Sequence, residues 1–370
     1  MNLELTEEQV ALRDTARRFL AQKAPISGHV RSLLDDPTGS TDAVWQGLAD
    51  LGATGLLAPE QFGGAGMTMV EAGIVAEELG AALHPGPWLS TAVAAARTLS
   101  LLTDAQSAAG TLLSGIADGT RIVAMGPADF QTASVMAVER EDAVALSGEL
   151  TALDAAAADV LLVLGEDRGD TALFAVQTGS EGISLAPVCG VDGTRKQFRV
   201  TLDAVTAQRL GTLAPEAVAA VVDDVLIAMA ADALGAARAV MELAIEYAKV
   251  RKQFGQVIGS FQAVAHLCVD MYETVELARS GVIHALWASD NAEPGERHLA
   301  ALRAKAFAGR LATVGDTAVQ VFGGIGYTWE HDAHLYLKRL LSWSAFLGGP
   351  DRYTTEIGAR LANRAATRQS

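Results

Sequence analysis

Cysteine is scarce in this sequence. Cys189 and Cys268 are the only two in 370 residues, too few for a disulfide framework and without metal-ligand spacing. Both are expected to be buried small hydrophobes in a reducing compartment. Positive charge is in deficit, with 28 Lys and Arg against 44 Asp and Glu and a formal net charge of -16. That balance excludes nucleic acid or an anionic membrane as the main partner, and the excess acid serves solubility. A local basic patch can still hold a phosphate-bearing cofactor. No uncharged apolar run reaches the length of a membrane span. The first residues, MNLELTEEQV, lack the basic-then-apolar pattern of a secretory signal. The expected location is the cytoplasm. What is present is apolar: half the residues are hydrophobic and 19% charged, enough to bury a large core over two or three domains.

Periodicity divides the chain into three parts. Thr6 followed by Gln9 reads as a capping box, with Val10, Leu12, Ala16, Phe19 and Leu20 as the apolar stripe of the helix behind it. Further helices fit Ala43 to Leu51 and Val70 to Leu79, with GGAG at Gly63 to Gly66 as a loop. From Arg121 the pattern shifts to short β-type runs: Arg121–Met125, Ser134–Val138, Val144–Leu146, Val160–Leu164, Thr171–Val176 and Phe198–Leu202. Their Gly, Asp and Pro punctuation predicts antiparallel strands in a small barrel or sandwich. After Pro215, Leu234, Ala237, Met241, Ala244 and Ala248 mark one face of a helix ending near Gly255. Gln262–Trp287 and His298–Gln320 read as two more, joined through NAEPGE at Asn291 to Glu296. The expected domains are helical 1–117, β 118–208 and a helical bundle 209–370.

Two segments concentrate the chemistry: RKQFG at Arg251 to Gly255 and QVFGGIGYTWEHDAHLYLKR at Gln320 to Arg339. Arg251 and Phe254, three apart at a helix end, are expected to emerge on one side of it, a guanidinium for a phosphate and a ring for a flat ligand. An ordinary surface Arg beside a core Phe fits the same spacing. Gly323, Gly324 and Gly326 follow a helix rather than a strand, so a nicotinamide-type fingerprint fits poorly. They suit either a helix C-terminal turn or close backbone approach to a ligand. His331 and His334 beside Glu330 and Asp332 lack a third metal ligand, and a salt-bridged helix start is expected there. No nucleophile triad assembles from the sequence. The residues alone reach a phosphate-bearing planar ligand held by a helical domain.

The chain resembles the acyl-CoA dehydrogenase family from Leu5 to about Leu361. LLAPEQFGGAG at Leu56–Gly66, EELG at Glu77–Gly80, RKQFGQVIGSFQAVAHLCVDM and the Gln320–Arg339 segment all carry the likeness. It implies an α+β multidomain fold: an N-terminal helical domain, a middle antiparallel β-barrel or sandwich, and a C-terminal four-helix bundle. It also implies FAD, an acyl-CoA substrate desaturated between Cα and Cβ, and an electron-transferring flavoprotein as acceptor. In such enzymes a carboxylate removes the α-proton, which the bound thioester carbonyl makes acidic. The cofactor lies across a subunit interface, and the resemblance assigns its pyrophosphate and AMP contacts to Arg251, Phe254, Gln262, Gln320, Gly323 and Gly324 of this chain.

Other family positions depart. A Thr-Glu-Pro run is replaced by Met125, Gly126 and Pro127, and the stretch about Thr151–Asp154 has no Trp where the family places one. The segment of the catalytic Glu reads Gly348, Gly349 and Pro350, and the alternative base position is Val225. No catalytic residue is therefore expected in this chain. Asp351 is a weak candidate, with Asp223 and Asp224 beside the alternative position. This pattern resembles the non-catalytic-type subunit of an actinobacterial heterotetrameric (α2β2) acyl-CoA dehydrogenase, whose paralogous partner supplies the Glu and the flavin-ring contacts, often for steroid-derived substrates. The alternatives are a self-sufficient homomeric enzyme using a substitute Asp, a structural subunit without flavin, and a flavin oxidase or monooxygenase of the same superfamily.

Overall fold

The computed structural model describes residues 4–102, 108–130, 134–139 and 144–367. Helices come first: α1 (Glu7–Lys23), α2 (Asp42–Asp50), α3 (Met69–Ala81), α4 (Ala96–Ser100) and α5 (Ala108–Ala117). Seven strands follow: β1 (Val123–Gly126), β2 (Ser134–Glu139), β3 (Val144–Leu153), β4 (Val160–Asp167), β5 (Asp170–Gln177), β6 (Ile183–Pro187) and β7 (Gln197–Thr212). Then α6 (Pro215–Val250), a hairpin of β8 (Lys252–Gln253) and β9 (Gln256–Val257), and α7 (Gln262–Asn291), α8 (Pro294–Ala308), α9 (Ala312–Phe322), α10 (Ala333–Ala345) and α11 (Pro350–Thr367) complete the chain. The expected order of helices, β region and helices is the one observed. The chain packs as two compact units, 27–72 with 85–225, and 1–26 with 73–84 and 226–370.

In the unit holding the strands, neighbours run β4-β2-β3-β7-β5 and β5 pairs back to β4, so five strands close into a barrel. Leu146, Leu161, Val163, Phe174, Val200 and Val205 fill it. The sheet is mixed rather than wholly antiparallel, because β1 and β2 both lie parallel to β4. β1 follows helix α5 instead of a hairpin, so no tight turn forces it antiparallel. Strand β6 had no signal in the sequence: it is five residues long, half-exposed and ends in Pro187.

In the other unit the capping box holds, with Thr6 Oγ1 accepting from the Gln9 amide at 3.2 Å and Gln9 Oε1 from the Thr6 amide at 3.0 Å. Helices α3 and α6 touch backbone to backbone. A Cβ on Gly80 would lie 1.8 Å from the Asp232 carbonyl, and one on Gly235 1.8 Å from the Glu77 carbonyl. Buried Glu78 accepts from Arg17 at 2.9 and 2.8 Å and from Arg238 at 3.0 Å. Arg339 donates to both Asp232 oxygens at 2.9 and 3.0 Å and to the His84 carbonyl at 3.0 Å. Two expectations fail, one in this unit and one in both. The single helix over His298–Gln320 breaks into α8 and α9 at Gly309, where the Pro350 ring packs close enough that a Cβ would meet it at 3.0 Å. The cysteines are not core: Cys189 is exposed and Cys268 half-buried, although burial still pushes the Cys268 thiol up. Cys189 follows Pro187 at a strand end among exposed residues, so nothing packs over it.

Candidate functional site

The Arg251–Gly255 segment is a hairpin rather than the end of a helix. Helix α6 stops at Val250, Lys252 pairs with Val257 and Gln253 with Gln256, and the Ile258 amide closes the base on the Arg251 carbonyl at 2.8 Å. The two turn residues, Phe254 and Gly255, both take positive φ, 51° and 82°, as a tight two-residue turn requires. A phenylalanine there is strained relative to Gly or Asn. Its ring is 91% exposed and meets only the edge of Phe261, centroids 6.1 Å apart. Arg251 and Gln262 are also exposed. Helical spacing therefore does not relate Arg251 and Phe254: Arg251 stands at the base of the hairpin and Phe254 at its tip.

The hairpin leads directly into α7, whose N-cap is Phe261 and has no side-chain cap. An uncapped helix start turns backbone N–H groups and the positive end of the helix dipole outward, which favours an anion. Arg251 adds a fixed positive charge at the base of the hairpin, eleven positions before Gln262, which adds an amide at the first position of the helix.

The second segment sits at the end of α9. Gln320 is exposed in its last turn, and Gly323 ends the helix with φ 66°. A Cβ on Gly323 or Gly324 would meet nothing within 4 Å. Bare backbone here faces open space, so the glycines are not demanded by packing within this chain. A row of rings ties this turn to the end of α6: Tyr247 to Phe322 at 5.1 Å, and Phe322 to His331 at 4.2 Å. His331 Nδ1 accepts the Ala333 amide at 3.0 Å and so caps α10. The histidine's role at that helix start is a ring cap. Buried His334 packs edge-on to Trp329 at 4.7 Å. Tyr327 and Trp329, 70% and 64% exposed, extend the open surface beyond the residues singled out from the sequence.

The positions at Gly126, Thr151–Asp154 and Asp223–Val225 are closed, and the segment at Gly348–Asp351 is open. A side chain on Gly126 would run into Leu150 Cδ1 at 2.2 Å and the Thr151 carbonyl at 3.1 Å. The Ala128 amide donates to that carbonyl at 2.7 Å. Thr151 and Ala152 are paired to Arg199 and Phe198 of β7. Asp154 is buried, with its carboxylate accepting from Ser90 Oγ at 2.7 Å. Asp224 is buried and meets Arg97 at 3.1 Å, while Asp223 and Val225 beside it are buried as well. Asp351 lies exposed in the first turn of α11, just past Gly348 and Gly349. Among the described residues no cluster of His, Cys, Asp and Glu could hold a metal ion, and no helix is long and apolar enough to cross a membrane.

Comparison with known proteins extends the likeness over nearly the whole chain. The profile of the acyl-CoA dehydrogenase N-terminal domain matches residues 6–119, and that of the C-terminal domain residues 226–362. The acyl-CoA dehydrogenase IpdE2 of Mycobacterium tuberculosis is 33% identical over 345 residues, covering 93% of this chain and 94% of its own. Among solved structures, the Tcur3481-Tcur3483 steroid ACAD, in a variant form, superposes with a TM-score of 0.86 at 29% identity, covering 97% of this chain and 99% of that one. The ChsE4-ChsE5 complex from Mycobacterium tuberculosis gives a TM-score of 0.85 at 25% identity over 98% and 99%. With a relative of that identity aligned end to end over this fold, the chain belongs to the acyl-CoA dehydrogenase family.

Proposed function

We propose that this chain is the cofactor-donating, base-lacking subunit of a heteromeric FAD-dependent acyl-CoA dehydrogenase. In this reading it reaches across a subunit interface to the FAD pyrophosphate and AMP with Arg251, Phe254, Gln262, Gln320, Gly323 and Gly324. A paralogous partner supplies the catalytic Glu and the contacts to the flavin ring. The observation that carries it is an asymmetry. Every residue of the phosphate-side set lies exposed at the ends of α6 and α9 or the start of α7. At the ring side, in contrast, Leu150 takes the room beside Gly126 and Asp154 accepts from Ser90. Asp223, Asp224 and Val225 are buried, and the open Gly348–Gly349 segment carries no carboxylate.

The residues present fit one half of the cofactor. An anion is met by Arg251, by amides and by an uncapped helix start, and bare glycine backbone leaves room for close approach. The other half does not fit this chain: Leu150 takes the room at Gly126 and Asp154 is committed to Ser90. A bound flavin would supply the hydride acceptor for the β-carbon of the thioester, held on this chain's side by Arg251, Phe254, Gln262, Gln320, Gly323 and Gly324. This chain's share is to bind and orient, with no proton taken at any of its own atoms. The likeness to the Tcur3481-Tcur3483 steroid ACAD and to the ChsE4-ChsE5 complex supports a steroid-derived acyl-CoA and an α2β2 assembly. An electron-transferring flavoprotein takes the electrons.

The test is visible flavin absorbance per chain, for the protein purified alone and coexpressed with a paralogue that retains the Glu. A colourless chain alone and one flavin per pair of chains in the complex is the expected result. A full flavin on every chain of the protein purified alone, with dehydrogenase activity, overturns the proposal and makes Asp351, Asp223 and Asp224 the next residues to replace.

A further inference from the structure

The joint between α8, α10 and α11 is built around a lone buried cation. Lys305, in the last turn of α8, has no exposed surface. Its ammonium donates to the carbonyls of Trp343 at 2.5 Å and Ser344 at 3.3 Å, in the last turn of α10. It lies 3.7 Å from the Trp343 ring centre and 5.9 Å from that of Tyr353. Trp343 returns the contact, its indole N–H donating to the Ala308 carbonyl of α8 at 3.0 Å. The turn that follows hangs from this clamp. Tyr353 and Arg352 both donate to the Leu347 carbonyl, at 2.9 and 3.0 Å. Pro350 packs on Gly309, and Leu347 and Gly348 take φ of 54° and 105°.

No carboxylate among the described residues pairs with Lys305. Helix α10 carries none. On α11, Glu356 is engaged by His298 at 3.3 Å and Arg360 at 2.9 Å, and Asp351 is exposed. Burial is the sole cause of the lowered Lys305 pKa, with no carboxylate offsetting it, and Arg303, Lys338, Arg339 and Arg352 on the packed elements add only positive charge. Helix-end carbonyls and ring faces compensate a charge in part. Burial without a counter-ion pushes the amine from the ordinary 10.5 down to about 7.

We propose that Lys305 is an acid-opened latch on the α10–α11 turn: the neutral amine keeps the joint closed, and proton uptake favours opening so that water can reach the ammonium. The sign follows from proton counting. With the joint open the amine regains ordinary basicity, so between about pH 7 and 10.5 the open form binds more protons than the closed one. Opening therefore becomes easier as pH falls through that window and levels off below about 7. The turn so controlled carries Gly348 and Gly349, the segment aligned with the family's base. The latch stands independently of the proposed flavin role.

Hydrogen exchange of the Phe346–Gly349 amides and the last turns of α8 and α10, in the full chain, tests it. Protection should fall about tenfold per pH unit from roughly pH 9 to 8 and flatten below about 7. Lys305→Met, similar in length and unable to take a proton, should remove the slope. His298→Gln, which removes the imidazole facing Glu356 across the α8–α11 seam, should leave it intact. A flat wild-type profile, a slope surviving in Lys305→Met, or one abolished by His298→Gln overturns the proposal. Should Lys305→Met fail to fold, Lys305→Gln, which cannot titrate but keeps an N–H donor for the Trp343 carbonyl, takes its place and must likewise lose the slope.

Discussion

The loops at the ends of α6 and α9 and the strand ends at Gly126 and Thr151–Asp154 have opposite fates in this chain. At the helix ends Phe254 is almost wholly exposed, and a Cβ added to Gly324 would touch nothing. At the strand ends Leu150 fills the room beside Gly126, and Asp154 is buried in a hydrogen bond to Ser90. Open surface that keeps a constrained sequence is explained by something outside the chain. Closed surface that has lost its functional residues is explained by packing within it. On the proposed reading, the missing half of the chemistry belongs to another polypeptide.

The most costly way to probe that difference is at the closed region. Asp224→Ala leaves the largely buried guanidinium of Arg97 without its carboxylate and should destabilise the unit by about 3 kcal/mol, read by denaturant unfolding. Turnover per folded assembled enzyme should be unchanged; its loss in a stable variant would reinstate Asp224 as a base and collapse the distinction. Arg251→Ala should weaken flavin retention of the assembled enzyme by about 1.5–3 kcal/mol, roughly 10- to 100-fold, the worth of a hydrogen bond to a charged group. Its own unfolding should shift by less than about 0.5 kcal/mol, since it is a surface change. Gly324→Ala sharpens the same point, because this chain offers its methyl no obstacle. Unaltered stability with reduced flavin content is expected, and unaltered flavin content would remove Gly324 from the cofactor set. The smallest effect is at the hairpin: Phe254→Asn relieves a left-handed phenylalanine and should stabilise the isolated chain by about 0.5–1 kcal/mol while loosening cofactor binding in the complex.

Much of this was legible beforehand, for identifiable reasons. The barrel strands β4 and β5 announce themselves as apolar runs separated by Arg168–Gly169, a turn that takes positive φ at both residues. Helix α1 announces itself through its capping box. The hairpin after α6 was hidden because Arg-Lys-Gln carries helix-compatible side chains, and only the Gly at 255 hints at a reversal. The break at Gly309 was invisible because its cause, the Pro350 ring, lies 41 positions further on. The site residues were found by likeness to motifs, and no local pattern could say that Phe254 would stand in solvent or that Asp154 would be buried. Nor could it say that EELG, which reads like a functional tag, spends its acids on arginines and its glycine on a helix crossing. Lys305 gave no signal, since an isolated lysine in a helix normally faces water.

Closure of the barrel has a consequence for the order in which this chain acquires its structure. The β4–β5 hairpin pairs Asp167 with Asp170 across two residues and can form as soon as both strands exist. β3 is different: it pairs with β7 from Val144↔Ala207 to Leu153↔Gln197, contacts so distant in sequence that loop-closure entropy comes before any gain. On a ribosome the barrel cannot close until Gln197–Thr212 has emerged. Until then β3 and β5 offer bare edges to any neighbouring nascent chain, which makes β7 the kinetic seal of the domain.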